Sequence, residues 1–227
     1  MNQFEVQADK WWDENGPFEL LHKMNPIRLQ YIKDHLGPIK GQKAIDIGCG
    51  GGILTMPMSR MGLDVTGIDS GPKNIEIAKS KATAAELNIR YYAASLESFA
   101  NLLEHREQYD IVTCMEVIEH VNDYKLFLVQ LSKLIKPGGS LFISTINRTI
   151  KSYLSAIVGA EYILNIVPKG THEWAKFLKP SEITDVVKVC DLTLQNIQGI
   201  TLDIIKREWF KSDCVSINYI MCFRKND

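Results

Sequence analysis

The residues from Ala44 to Gly52 read Ala-Ile-Asp-Ile-Gly-Cys-Gly-Gly-Gly, an apolar run carrying the acid Asp46 and passing into glycines at 48, 50, 51 and 52. Glycines between a strand and a helix let the backbone approach a ligand closely. The dinucleotide spacing counted from Gly48 needs a glycine at 53, and Ile53 stands there, so a nicotinamide cofactor is disfavoured. About twenty residues past the glycines a second apolar run ends in Asp69, where a nucleoside-binding sheet places its ribose-hydroxyl acceptor. The alternative for Asp69 is a helix cap for the segment opening Ser70-Gly71-Pro72.

A second group follows the apolar run that ends at Cys114: Met115-Glu116-Val117-Ile118-Glu119-His120. On a helix Glu116, Glu119 and His120 would fall at i, i+3 and i+4, on one face. Two carboxylates and an imidazole can ligate a divalent cation, or His120 can take a proton from a substrate hydroxyl. A purely structural Glu119-His120 is the alternative. Farther on, His172 in Gly170-Thr171-His172 reads as a satisfied loop histidine rather than a base.

These groups need a scaffold, and the alternation of strand-like and helical runs from Gln42 supplies one. Strands are expected at Lys43 to Ile47, Asp64 to Ile68, Ile89 to Ala93, Tyr109 to Cys114 and Ser140 to Thr145, with helices near Ile53 to Met61, Pro72 to Glu86 and Tyr124 to Ile135. Lys136-Pro137-Gly138-Gly139 ends the last of these helices. Two late runs, Thr193 to Ile200 and Val215 to Phe223, leave no room for crossover helices and are expected to pair as an antiparallel edge hairpin. The fold class expected is α/β: a doubly wound, mostly parallel seven-stranded sheet with an antiparallel edge hairpin. Phe4 to Trp12 and Ile27 to His35 read as helices without strand partners, an N-terminal helical lid. The chain divides into that lid (1–41), a cofactor-binding core (42–145), a substrate- or membrane-facing insertion (146–190, with a helix expected at Lys151 to Val167 and another at Pro180 to Val189) and C-terminal edge strands (191–227), all within a single domain.

Composition sets outer bounds. The 227 residues carry 26 basic and 27 acidic side chains, which leaves no cationic excess for a run of phosphates, so nucleic acid is not an expected partner. Five cysteines, an odd number without a C-x-x-C pair, and a start lacking an apolar signal core point to a cytoplasmic chain.

Asp46, the G-x-G-x-G run and the acid Asp69 together resemble the class I, Rossmann-like S-adenosylmethionine-dependent methyltransferases over Lys43 to Thr145. Trp11-Trp12, Leu21 to Arg28, Ile146-Asn147-Arg148, and Gly159 to His172 narrow the resemblance to the O-methyltransferases of ubiquinone biosynthesis, over about Trp11 to Pro180. That resemblance implies S-adenosyl-L-methionine as methyl donor and a polyprenylated catechol or demethylubiquinol as acceptor, methylated at two separate steps. It makes Arg28, Gly48, Asp69 and Met115 cofactor contacts. It also implies a divalent cation, Mg2+ with Zn2+ or Mn2+ as alternatives, at Glu116, Glu119 and His120, the last three being the catalytic candidates. A tailed substrate further implies peripheral membrane association through Lys151 to Val167, whose other reading is a core or dimer helix. Two rival classes stay open: a nucleotide-cofactor oxidoreductase, and a non-catalytic subunit associated with other ubiquinone biosynthesis enzymes.

Overall fold

Strand β1 (Lys43–Ile47) is buried from Ala44 onward, as a strand covered by helices on both faces must be. It pairs in parallel with β2 (Asp64–Asp69) on one side and β4 (Tyr109–Met115) on the other. Strand β3 (Arg90–Ala93) extends the sheet beyond β2, and β5 (Ile135–Ile146) extends it beyond β4, both in parallel. Three antiparallel strands follow: β6 (Leu192–Asp203), β7 (Glu208–Ser212) and β8 (Asn218–Lys225). In the computed structural model, which describes residues 7–153, 173–203 and 206–227, the order is β3-β2-β1-β4-β5-β8-β6-β7.

The sheet therefore has eight strands where seven are expected from the sequence. Strand β6 runs past Ile200 to Asp203, and the chain folds back so that β7 pairs with its end. The extra strand is anchored from outside the sheet, by the Trp209 indole donating to the Leu20 carbonyl at 3.0 Å and by an Arg207–Glu19 ion pair. The pairing expected for the two late runs does form between β6 and β8, with β8 docked against β5. At Lys136 to Gly139 the β4–β5 ladder skips residues, as the expected turn requires, and Gly138 takes φ +67°.

Helices cover both faces. On one, α4 (Leu96–Ala100), α5 (Tyr124–Leu134) and α6 (Pro180–Lys188) bury Phe99, Leu128, Leu131, Ile183 and Val187 against the sheet. On the other, α1 (Glu19–Asp34) and α2 (Thr55–Arg60) bury Met24, Tyr31, Ile32 and Met58. Helix α3 (Pro72–Ala84) packs Ile75 and Ala78 on Tyr91 of β3. The N-terminal region departs from expectation in two ways. Among the described residues Phe4 to Trp12 supplies only a single 3-10 turn, Ala8–Lys10, whereas α1 begins eight residues earlier than Ile27 and carries Pro26 inside it. One lost backbone donor is outweighed there by a buried face of Met24, Asn25, Arg28, Tyr31 and Ile32. Of the helix expected at Lys151 to Val167, a short turn at Ile150–Ser152 is seen; 154–172, and with it His172, lies outside the described residues.

Candidate active site

The chain reverses its direction of sheet growth between β1 and β4, and the carboxyl ends of strands at such a switch point form a crevice. The glycine-rich loop after β1 lies in it. Gly48 sits at φ +70°, and a Cβ there would come 2.5 Å from Val117 Cγ2, so the loop is fitted against the turn after β4. Only glycine meets both demands.

Asp69, at the end of β2, is held by three donors. Its Oδ2 accepts the Gly50 N–H at 3.0 Å, and its Oδ1 accepts the Gly71 N–H at 2.7 Å and the Asn74 amide at 3.0 Å. The helix-start reading accounts for part of this geometry. Gly71, the N-cap of α3, has no side chain to cap with, so Asp69 Oδ1 serves the helix start while Oδ2 orders the glycine loop.

Helix α1 sets Asn25 and Arg28 three residues apart on its buried face. Arg28 is 4% exposed, yet its Nε and one terminal nitrogen have no hydrogen-bond partner. That nitrogen lies 3.3 Å from Glu116 Oε1, an ion pair without hydrogen-bond alignment. A buried guanidinium with open donors is a site for a carboxylate, which brings two parallel acceptors. Asn25 donates to the Ile53 carbonyl at 2.8 Å and leaves its own oxygen unpaired. Met115 closes β4 inside the apolar cluster of Met24 and Leu54.

The acid turn differs from the helix on which a shared face depends. Glu116 takes φ +55°, a left-handed conformation uncommon for a non-glycine residue, and only Ile118–His120 coil, as a 3-10 turn. The i, i+3, i+4 face therefore does not form. Glu116 instead accepts the Ser144 hydroxyl at 2.6 Å, and the buried Glu119 accepts the Thr145 hydroxyl at 2.8 Å. Burial, and then the Glu116 charge, push the Glu119 carboxyl well above the usual carboxylate range. His120 ends the turn half-buried. Among the described residues no three His, Cys, Asp or Glu side chains converge as a metal site, so Glu116, Glu119 and His120 do not form one in this conformation.

Behind the loop, burial pushes Asp46 up to about 7 while the Thr113 hydroxyl, donating at 2.6 Å, holds its oxygen. Burial, with Asp46 and Asp69 nearby, also raises the Cys49 thiol. The sulfur within the loop is thus kept as a poorly nucleophilic thiol.

Sequence reasoning missed Asn74, Ser144 and Thr145. Ser144 and Thr145 stand next to the end of β5, and a hydroxyl pair in an otherwise apolar run was their only signal. Asn74 lies in a helix of ordinary polar spacing and gave none.

Comparison with known proteins places these features. The family described as a methyltransferase domain matches residues 19–196. Ubiquinone biosynthesis O-methyltransferase of Pelagibacter ubique is 45% identical, covering 100% of this chain and 97% of that protein. The protein of the same name from Marinobacter nauticus is 42% identical over 96% of this chain and 92% of its own length. Among solved structures, magnesium protoporphyrin IX methyltransferase from Synechocystis, with bound S-adenosylhomocysteine, has a TM-score of 0.71 at 18% identity, covering 97% of this chain and 95% of that one. A SAM-dependent methyltransferase from Aquifex aeolicus gives 0.62 at 14%, covering 92% and 98%. At those identities the two structures bear on the fold alone.

Proposed function

The chain belongs to the methyltransferase family, among the ubiquinone biosynthesis O-methyltransferases, and from that premise we propose that it methylates catechol hydroxyls of polyprenylated intermediates at two steps of ubiquinone synthesis. It is an S-adenosylmethionine-dependent O-methyltransferase. The substrate assignment is carried by the 42–45% identity sustained over nearly the whole length of this chain and its relatives.

In this reading the open donors of Arg28 hold the methionine carboxylate, Asp69 takes the ribose hydroxyls, Gly48 admits the cofactor's close approach, and Met115 packs near the adenosine. S-adenosylmethionine supplies a methyl group on a sulfonium, ready for in-line displacement. The protein's own work is to hold the acceptor oxygen in line and help it lose its proton. A phenol with an ordinary acidity near ~10 is mostly neutral at pH 7. In this reading His120, half-buried at the end of the turn, accepts that proton. Glu119, kept partly protonated by burial beside Glu116, adds a group whose charge changes nearer neutrality than an ordinary carboxylate's.

A divalent cation at Glu116, Glu119 and His120 remains part of the proposal. Its support is the closeness of the two acids, with Glu116 raising the Glu119 carboxyl and Arg28 lowering it. Among the described residues the three donors do not converge in this conformation, so closing such a site requires the turn to rearrange. The test of the reading is transfer of radiolabelled methyl to a short-tailed demethylubiquinol analogue, with and without chelator. Label on the phenolic oxygen is expected, with loss on chelation if the cation belongs. Cofactor binding without transfer would favour the non-catalytic subunit.

The tailed acceptor also places the work at a membrane surface. Among the described residues no helix is long and apolar enough to cross a membrane. At the start of Lys151 to Val167 and beyond its end, Ile150, Tyr153 and Trp174 are exposed, with Lys151 among them and Arg148, paired with Glu182, nearby. Apolar side chains next to cations suit an anionic interface. Cosedimentation with anionic liposomes at low salt is expected for the wild type and lost in Ile150→Glu with Trp174→Glu. No wild-type sedimentation would remove the surface from the reading.

A further inference from the structure

Asn74 is the third residue of α3, 2% exposed, and it joins two parts of the molecule that are far apart in sequence. Its Oδ1 accepts the Trp11 indole N–H at 2.9 Å and its Nδ2 donates to Asp69 Oδ1 at 3.0 Å. The amide has one sensible orientation, because an indole nitrogen only donates and an ionised carboxylate only accepts. Swapping the amide ends would lose both bonds.

The other end of the link is a fitted strap. A Cβ on Gly50 or on Gly51 would come 2.5 Å from Trp11 atoms, so the Trp11 side chain lies directly on the glycine loop. The Trp12 indole donates to the Gly51 carbonyl at 2.9 Å, Trp11 stacks on Phe18 with ring centroids 3.9 Å apart, and His22 bonds the Trp11 carbonyl at 2.8 Å. Loop, strap and Asp69 are therefore tied by contact at Gly50 and Gly51, by the Trp12–Gly51 and Gly50–Asp69 hydrogen bonds, and by the Asn74 amide.

We propose that Asn74 is a positioning residue. It aims the Asp69 carboxylate at the ribose and makes the seating of the Trp11 strap and the binding of the cofactor a single coupled event. The proposal rests on the reading of Asp69 as the ribose acceptor. Without the amide, Asp69 Oδ1 keeps only the Gly71 N–H and the indole N–H is buried without a partner. With an aspartate at 74, a second carboxylate faces Asp69.

A double-mutant cycle tests this. S-adenosylhomocysteine is titrated calorimetrically into wild type, Trp11→Phe, Asn74→Ala, the double variant and Asp69→Ala, with thermal unfolding of each and steady-state kinetics of those that turn over. Asn74→Ala is expected to weaken binding about tenfold or more and to raise KM for S-adenosylmethionine while kcat at saturation stays near wild type. Trp11→Phe, which keeps an aromatic ring on the glycines, is expected to weaken binding about threefold alone and not further in the Asn74→Ala background. Equal effects of Trp11→Phe in both backgrounds would overturn the coupling. Wild-type affinity in Asn74→Ala would overturn the positioning role. If Asn74→Ala does not fold, Trp11→Phe decides by itself, and unchanged affinity there overturns the proposal. Wild-type affinity in Asp69→Ala would overturn the ribose reading and this inference with it, whereas loss in Asp69→Ala alone would overturn only the inference.

Discussion

The carboxyl ends of β1 and β2 and those of β4 and β5 both present acids to one crevice, in different surroundings. Asp69 is met by two backbone N–H groups and an amide. Glu119 is buried with the Thr145 hydroxyl donating to it, Glu116 beside it raising its carboxyl and Arg28 lowering it. The first arrangement fixes the position of a carboxylate before any ligand arrives. The second leaves a carboxyl whose proton is easily exchanged near neutrality. On the proposed reading, recognition sits where three donors meet the carboxylate, and proton handling sits where burial and a second acid act on it.

The strongest blow to this division is Gly48→Ala. A side chain there meets Val117 at 2.5 Å in a backbone region that costs L residues about 1–2 kcal/mol, and it separates the loop from the acid turn. Cofactor binding is expected to fall beyond about a hundredfold with a lower Tm, read by calorimetry and thermal unfolding. Wild-type values for both would mean that the two halves are not packed together.

Asp46→Asn examines the buried support behind the loop. An acid whose folded pKa is raised to about 7 binds its proton more tightly in the folded chain than in the unfolded one. Its stabilising contribution is full below the unfolded value near ~4 and is lost as pH rises to about 7. Relative to wild type, the asparagine variant should therefore gain about 2–4 kcal/mol between pH 4 and pH 8, and denaturant unfolding across that range checks it. Parallel pH curves for the two proteins would place Asp46 outside the account.

A smaller effect sharpens the border. Glu116 touches both halves, through Ser144 and through Arg28. In Glu116→Gln the repulsion on Glu119 disappears, so the pH at which turnover changes should move down by about one unit. Arg28 loses its ion pair with Glu116, and cofactor affinity should rise by about threefold. An unshifted pH profile would show that Glu119 does not feel Glu116 during turnover.

The legible parts of the sequence were those set by neighbours along the chain. The glycine loop, Asp69 at the end of β2 and the parallel strands all follow from local residue type and period. The eighth strand was hidden because β7 is anchored by Trp209 and Arg207 to α1, about 190 residues earlier in the chain, a contact no window can read. The acid turn was misjudged for the same reason. A glutamate has no preference for φ +55°, and the Ser144 carbonyl accepting its N–H at 3.0 Å helps hold it there. Asn74 became informative only once Trp11, 63 residues earlier, was seen against it. Arg28 entered through family resemblance, and its burial with open donors gives that assignment a physical basis.

The division between the two halves is tested most directly by titrating S-adenosylhomocysteine into Asp69→Ala and Glu119→Gln side by side and measuring the methyl transfer rate of each. Asp69→Ala is expected to lose about ten- to hundredfold in affinity, the loss of charge-assisted hydrogen bonds, while Glu119→Gln binds as wild type and turns over at least about tenfold more slowly. Wild-type affinity in Asp69→Ala, or an equal loss of affinity in both variants, would contradict the account.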